Sequence, residues 1–274
     1  MSKQQEREFP TIEELSQGFS EYRLPQIEEI VGQTYTLNYE TGHVVEYHFL
    51  DCETVKIIDR AEDKEEKTSA IYTAVSPRKN IIMIDCVCSY GDTKSLTTVI
   101  DLNKNIATTL TGLLPNREEV LISQFERGDK GLPLTSVKGI FEHAAVNTAF
   151  TEETEKHEFT TELVGERIAF QYSSNDMYEH VYLNENYFTW HCIKGIDKGL
   201  CDTDRCFYLK LEDNLYWFIW MEKVVPTIGT VVEDLSPEVM RSYGKIYGYE
   251  SYDMTKVTNF PVGSYAKRLN YTQY

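Results

Sequence analysis

The chain contains one short pattern twice: VGQTYTLNYETGHVVEYHFL at residues 31–50 and VGERIAFQYSSNDMYEHVYL at residues 164–183. The copies start 133 residues apart and align without gaps. Identical residues occur at five aligned positions: Val31/Val164, Gly32/Gly165, Tyr39/Tyr172, Glu46/Glu179 and Leu50/Leu183. In each copy two runs of alternating apolar and polar residues flank a short turn, which predicts a β-hairpin. A repeat at this spacing predicts a duplicated domain.

Further strand-like segments follow each hairpin. The runs IIMIDCVCSY (81–90) and LYWFIWMEKV (215–224) are apolar, and residues 99–112 and 231–248 read as strand, turn, strand. Each copy therefore holds about six to eight short strands in consecutive hairpins. An up-and-down antiparallel barrel accommodates such strands without exposed edges, and an open meander or sandwich is the alternative. A barrel of about eight strands has room for packed side chains or one small ligand.

The N-terminal segment, residues 1–27, is predicted to be partly helical and amphipathic. Thr11 is the expected N-cap, because Glu14 follows it at capping-box spacing. Such a segment suits a plug or lid over a barrel. The predicted organisation is therefore this segment, a first barrel at 28–155 and a second barrel at 156–274.

The connection between the copies, residues 113–160, contains three distinct stretches. EEVLISQF (118–125) and SVKGIFEHAAV (136–146) are predicted as further strands. TEETEKHE (151–158) is predicted as an exposed acidic joint.

Composition and charge exclude several classes of function. There are 27 basic and 44 acidic residues, a formal net charge of −17, which repels nucleic acid and anionic membranes. The N-terminus lacks the apolar core of a signal peptide, and no run approaches the ~20 apolar residues of a membrane span, so a cytoplasmic location is expected. The six cysteines form no C-x-x-C pair and are expected to be reduced thiols. Neither a metal nor a cofactor motif is present, so no cofactor is predicted.

Three motifs in the second copy carry a resemblance to a known family: GLCDTDRC (199–206), WMEK (220–223) and PTIG (226–229). In these motifs and their order the chain resembles the MoaF family, most strongly between about 160 and 250. That family is similar in turn to the phenolic acid decarboxylases, which are single lipocalin-like barrels. The resemblance implies two tandem calycin-type barrels that work without a metal or organic cofactor.

The resemblance also suggests positions for a site. The decarboxylases carry paired tyrosines on the first strand, an arginine on a following strand and a glutamate on a middle strand. The matching segments GERIAFQY, WHCIKG and LYWFIWME put Phe170 and Tyr172, His191, and Glu222 at these positions. One tyrosine and the arginine that would pair a substrate carboxylate are replaced. The resemblance therefore supports acid–base groups but does not carry decarboxylation over to this chain.

Glu222 is the residue on which the functional hypothesis depends. By alternation it shares a face with Trp220 and Phe218, and a carboxylate among aromatic rings has a raised pKa suited to proton transfer near neutrality. The alternative is a strand-end glutamate paired with Lys223 at the rim. His191 suits proton exchange at neutral pH, although a lone strand histidine is also a common structural residue.

Other candidate residues also have two interpretations. Tyr172 is either a hydroxyl donor to ligand or a packing residue that the duplication retained as Tyr39. In the cluster of Asp202, Asp204 and Arg205, the arginine flanked by acids either anchors an anionic group or locks a lid, or the three residues form a salt-bridged turn. Ile58 and Val87 stand near the positions of His191 and Glu222 in the first copy, so the first barrel is predicted to be a scaffold or lid.

These observations together predict two tandem lipocalin-like antiparallel barrels with a short N-terminal helical segment. The predicted function is a cofactor-free lyase, hydratase or isomerase that acts on a small aromatic or conjugated molecule. The alternative is a non-catalytic carrier or sensor that uses the same barrel. The expected partner is a small molecule, with a homo-oligomer left open. The catalytic candidates are Glu222, His191 and Tyr172, and the binding candidates are Arg205, Asp204, Trp190, Phe170, Phe218 and Trp220.

Overall fold

The computed structural model describes residues 9–61, 64–87 and 94–274. Within these ranges the chain forms seventeen β-strands and three short helices. The first barrel consists of β1 Thr34–Tyr39, β2 Val44–Phe49, β3 Thr54–Ala61, β4 Lys64–Arg78, β5 Ile81–Val87, β6 Lys94–Asp101, β7 Ile106–Leu113 and β8 Lys138–Val146. The remaining strands are β9 Glu158–Phe159, β10 Glu166–Gln171, β11 Met177–Tyr182, β12 Tyr187–Lys194, β13 Cys201–Glu212, β14 Leu215–Glu222, β15 Thr227–Asp234, β16 Arg241–Tyr249 and β17 Val257–Tyr271.

Both sets of strands close into up-and-down barrels. In the first barrel β1 pairs antiparallel with β2 and β8. In the second, β10 pairs with β11 and β17, and β12 pairs with β13, so eight strands form a ring and β9 adds to β13 outside it. The predicted fold class is therefore confirmed, and closure leaves neither ring with an open edge.

The duplication extends to individual hydrogen bonds. The amide of Gly32 donates to the carbonyl of Phe49 over 2.8 Å, and the amide of Gly165 donates to the carbonyl of Tyr182 over the same distance. Both glycines have positive φ, +79° and +94°, a conformation that costs other residues free energy. This turn starts the first hairpin of each barrel and explains why glycine stands at the start of both sequence copies.

The N-terminal segment begins with the short helix α1, Ile12–Leu15. Thr11 caps it as predicted: its side chain accepts from the Glu14 amide, and the Glu14 carboxylate accepts from the Thr11 amide at 2.7 Å. The two orphan amides are thus satisfied reciprocally in a capping box.

This segment packs on the second barrel. Its Glu13 amide donates to the Glu250 carbonyl (3.3 Å), and the Ser20 hydroxyl donates to the Pro261 carbonyl (2.5 Å). Ile12 belongs to the buried core cluster inside that barrel. The described part of the N-terminal segment therefore lies across the barrel formed by the end of the chain.

The connection between the barrels is partly helical, and the strand predicted at 118–125 is wrong. The structure has α2 at Arg117–Leu121 and α3 at Gln124–Asp129. Asn116 forms a capping box with Glu119, and Ser123 caps α3. These side-chain caps favour helix starts over an extended chain. The strand predicted at 136–146 is present as β8.

A third core cluster joins the two barrels. It unites outward-facing residues of the first barrel, such as Met83 and Leu110, with Trp217 and Ile219 of the second. Residues Leu215–Met221 are all buried, because β14 faces its own barrel on one side and the first barrel on the other. Burial on both faces explains why this strand is apolar without alternation.

The interior of the first barrel is packed with apolar side chains, and eighteen of the described residues belong to this buried cluster, including Leu37, Phe49 and Ile84. The hydroxyl of Tyr39, the counterpart of Tyr172, lies 2.7 Å from the Thr109 hydroxyl. The side chain of Val87, the predicted counterpart of Glu222, lies outside the described residues.

Candidate functional site

A cavity lies inside the second barrel, at the end that the N-terminal segment covers. Its volume is about 70 Å³. Seven aromatic side chains of the barrel line it: Tyr172, Tyr178, His180, Phe188, Trp190, Trp220 and Phe260. Four carboxyl groups also line it: Asp197, Asp202, Asp204 and Glu222.

Glu222 stands at the end of β14, on the inward face that also carries Trp220. The Trp220 indole donates to Glu222 Oε1 at 2.9 Å. Burial, and to a smaller extent the nearby charge of Asp204, raise the pKa of the Glu222 carboxyl to about 8. The carboxyl therefore titrates near neutral pH, as proton transfer requires.

Lys223 does not pair with Glu222, which was the alternative interpretation. Its ammonium lies 2.6 Å from Asp202 and 3.2 Å from Asp204. Asp204 is 2% exposed and also accepts from the Trp190 indole at 3.0 Å. Burial raises the pKa of Asp204, and the charge of Lys223 opposes that rise.

Asp197 lies in the loop between β12 and β13 and is only 4% exposed. Its Oδ2 accepts from the Tyr178 hydroxyl at 2.7 Å. Its Oδ1 is fully buried and has no hydrogen-bond partner among the described residues. Burial raises the pKa of this carboxyl. One oxygen is thus held in place while the other is unsatisfied.

His180 provides the imidazole of the cavity. It lies among aromatic rings, with ring centroids 4.7 Å from Phe170 and 5.6 Å from Phe218. Burial lowers the pKa of His180 to about 3, so the ring is neutral at pH 7. Its Nδ1 is buried and has no partner in the described part of the chain. Phe170 and Phe218 support this ring and do not themselves line the cavity.

Tyr172 follows β10 and is 3% exposed. Its ring stacks on Phe19 of the N-terminal segment, with centroids 4.7 Å apart. Burial raises the pKa of the Tyr172 phenol, so it remains a neutral hydroxyl at pH 7. The group can therefore donate a hydrogen bond to a molecule in the cavity.

A further buried carboxyl, which does not line the cavity, lies in the core of the same barrel. Glu233 is fully buried on β15 and accepts from the Tyr182 hydroxyl at 2.7 Å. Its Oε2 has no partner within the described ranges. Burial raises the pKa of Glu233 to about 8.

Two of the predicted site residues lie outside the barrel. His191 Nδ1 is 2.7 Å from Glu179 Oε1, and the His191 side chain is 41% exposed. Arg205 stacks on Phe207, with the guanidinium carbon 5.0 Å from the ring centroid. Successive residues of a strand point to opposite faces, so His191 faces away from Trp190 and Arg205 away from Asp204. The structure therefore does not bring His191 together with Glu222, and Arg205 does not reach the cavity.

Several cavity residues were not identified from the sequence, and the polar ones among them include Tyr178, His180 and Asp197. Strand pairing contained the signal for two of them, because Tyr178 lies directly opposite Phe170, and His180 follows it by two residues. Both therefore share the inward face of Phe170. Asp197 lies in an irregular loop and has no periodic signal.

Apolar side chains of the N-terminal segment close the cavity: Phe9, Ile12, Leu15 and Phe19. Phe9 stands edge-on to Trp190 at 6.3 Å, and Phe19 stacks on Tyr172. The remaining 70 Å³ is less than half of the roughly 150 Å³ that holds a benzene molecule in an engineered cavity. An aromatic ligand therefore requires this segment to move.

Three further features of the described residues concern metal binding, membrane spans and cysteines. No group of three or more His, Cys, Asp or Glu among them is arranged to hold a metal ion. No helix in the described ranges is long and apolar enough to span a membrane. Among the described residues, Cys52, Cys192, Cys201 and Cys206 are free thiols. Cys88 lies outside the described residues.

The fold and the site define a double-barrel protein with an acidic, aromatic cavity in its second barrel. The family model of the MoaF C-terminal domain matches residues 157–272, and that of the MoaF N-terminal domain matches residues 7–116. Protein MoaF of Klebsiella aerogenes is 37% identical over 205 residues, which are 75% of this chain and 76% of that protein. The chain belongs to the MoaF family, as the sequence motifs indicated.

One solved structure also aligns with the chain. It is a protein described as a candidate beta-lactamase from Burkholderia vietnamiensis, with 8% identity, 39% of this chain and 96% of that chain covered. The TM-score of 0.33 is below the level that indicates a shared fold.

Proposed function

We propose that the second barrel binds a small aromatic or conjugated molecule and transfers a proton to or from it through Glu222, without a cofactor. The observation that supports this most directly is a carboxyl with a pKa of about 8 that lines an aromatic cavity. Such a group is present in both protonation states near neutral pH and serves as general acid or base. Lyase, hydratase and isomerase reactions all use this step.

The other cavity groups have supporting roles in this proposal. The Trp220 indole holds one oxygen of Glu222. The Tyr172 hydroxyl donates a hydrogen bond to a negative charge that develops on the ligand. Neutral His180 offers a second hydrogen-bonding group. His191 has no part in the mechanism, because it lies on the outer face. The Glu222–Trp220–Tyr172 group replaces the constellation expected from the sequence.

The alternative is a carrier or sensor. It is favoured by the way the N-terminal segment fills one end of the cavity as a plug, with Phe9, Ile12, Leu15 and Phe19. Phe19 occupies a stacking position on Tyr172 that a ligand ring would take. A displaceable plug of this kind serves reversible binding without any chemistry. The two functions share the cavity and differ only in whether Glu222 exchanges a proton with the ligand.

Hydrogen–deuterium exchange into the ligand separates the two functions. The full chain in D2O is incubated with small aromatic compounds that carry an acidic C–H or a conjugated alkene, and deuterium uptake is followed by NMR. For a compound that exchanges, Glu222→Gln lowers the rate about 10²–10⁴-fold while affinity changes little. Glu185→Gln, the same change at an exposed loop residue, leaves the rate unaltered. Binding without exchange in the wild-type chain overturns catalysis and supports the carrier.

A further inference from the structure

We propose that the ligand of the second barrel is an organic cation, a primary ammonium on a short arm from an aromatic ring, with its charge at Asp197. This inference rests on the proposed function only in using the same cavity, and it holds for an enzyme and for a carrier. Three features of that cavity support it: the charges of the lining residues, the unpartnered Oδ1 of Asp197 and the aromatic walls.

The charges that line the cavity have one sign. Its lining contains four carboxyl groups, and neither lysine nor arginine is among the described lining residues. The ammonium of Lys223 is shared between Asp202 and Asp204. His180 is the basic side chain among the described lining residues, and burial keeps it neutral at pH 7. The cavity therefore attracts a cation and repels a carboxylate.

Asp197 provides the specific contact. Its Oδ2 is fixed by the Tyr178 hydroxyl, while its Oδ1 is buried without a partner among the described residues. Buried polar atoms in native proteins are almost always hydrogen-bonded, so an orphaned carboxylate oxygen beside a cavity calls for a donor. An ammonium supplies three N–H donors and a compensating charge.

The walls suit the rest of such a ligand. The Tyr178 ring, whose hydroxyl holds Asp197, lies 6.2 Å from the Trp190 ring. Aromatic faces attract cations, and Trp does so most strongly. The rings of Phe9 and Phe19 already pack against Trp190 and Tyr172. A ligand ring that displaces one of them keeps the same contacts.

The same geometry excludes the substrate class of the decarboxylases, which the family resemblance suggested. The position of their arginine corresponds to His191, which lies outside the barrel. A phenolic acid would place its carboxylate among four acidic groups with no compensating cation among the described lining residues. The inferred ligand thus carries the opposite charge.

Three probes of similar size test the charge: benzylamine, benzyl alcohol and phenylacetate, titrated into the full chain at pH 7 by NMR or calorimetry. Benzylamine is expected to bind at least tenfold more tightly than benzyl alcohol, and phenylacetate to bind more weakly than either. Equal binding of benzylamine and benzyl alcohol, preference for phenylacetate, or no binding of any probe even to Phe19→Ala, overturns the inference.

Variants locate the charge within the cavity. Asp197→Asn is expected to weaken benzylamine at least tenfold and to leave benzyl alcohol unchanged. Asp129→Asn, the same change at an exposed helix end, alters neither. If Asp197→Asn fails to fold, the preference of the wild-type chain among the three probes remains decisive. If the chain binds amines but exchanges no deuterium into its ligand, the cation inference stands and only catalysis is refuted. If the chain exchanges deuterium into neutral or anionic compounds and shows no preference for amines, catalysis stands and the cation inference is refuted.

Discussion

Glu222 and Asp204 are two carboxyl groups of one cavity, and each accepts a hydrogen bond from a different tryptophan. Trp220 donates to Glu222 at 2.9 Å, and Trp190 donates to Asp204 at 3.0 Å. Asp204 also pairs with Lys223. The lysine favours the negative charge on Asp204, and that charge in turn favours the protonated form of Glu222. The two carboxyls therefore differ in their surroundings, since Lys223 pairs with Asp204, and this difference underlies the proposed proton transfer.

Stability is expected to fall as pH rises from about 7 to 8, above the range in which the buried neutral His180 has the opposite effect, and Glu233 gives the clearest test. Burial raises the pKa of Glu233 from its ordinary value of 4.5 to about 8. In this window the folded chain holds a proton that the unfolded chain has lost, so the free energy of unfolding decreases with pH. The full stabilisation is present below pH 4.5. Urea denaturation at several pH values measures the slope.

Glu233→Gln removes one titrating group from this window while it keeps an oxygen that accepts from Tyr182. The decrease of the free energy of unfolding with pH should become shallower by the equivalent of about one proton. At pH 8 the variant should be more stable than wild type by a few kcal/mol at most, on the order expected for a buried carboxyl. Glu222 continues to titrate in the variant. The exposed Glu185→Gln is the matched control, and an unchanged slope in Glu233→Gln would show that Glu233 titrates normally.

Strand periodicity predicted the hairpins and the inward face of β14, whereas the choice of closed barrels over an open meander or sandwich came from the family resemblance. The duplication, the hairpins and the shared face of Glu222, Trp220 and Phe218 all follow from alternation and repeat spacing. These are local properties, fixed by residues that lie close in sequence. The same rule, applied to neighbouring residues, would have separated His191 from Trp190.

The remaining features depend on contacts that local patterns do not encode. The helices at 117–129 arise from side-chain caps at Asn116 and Ser123, whereas the apolar spacing of this stretch resembles a strand. The placement of α1 over the second barrel depends on contacts across more than 230 residues, such as Glu13 with Glu250. Asp197 reaches the cavity through an irregular loop. Sequence periodicity carries no information about any of these.

Phe19→Ala is expected to open the cavity and to weaken the fold. Phe19 is 5% exposed and stacks on Tyr172. Removing a buried phenyl ring costs about 3 kcal/mol and leaves space for a ligand ring. Urea denaturation should show the loss of stability, and the affinity for benzyl alcohol should rise at least severalfold. Phe125→Ala, at a residue that is 87% exposed, should change neither quantity. A stable Phe19→Ala variant without increased affinity would show that this segment does not control access.

The contact between the barrels yields the last prediction. Lys245 and Asp85 form an ion pair in which the residues are 3% and 6% exposed, and Asn259 donates to the same carboxylate at 2.5 Å. Lys245→Met leaves Asp85 buried without its counter-charge, which should lower the free energy of unfolding by about 3–5 kcal/mol. The double variant Lys245→Met/Asp85→Leu removes both charges and should recover most of that loss, because two apolar residues need no pairing. Lys130→Met, which breaks an exposed i,i+4 pair with Glu126, should cost about 0.5 kcal/mol or less. Urea denaturation of the wild-type chain, Lys245→Met, Asp85→Leu and the double variant gives the coupling energy of the pair. Additive effects of the two single substitutions would show that the pair does not hold the barrels together.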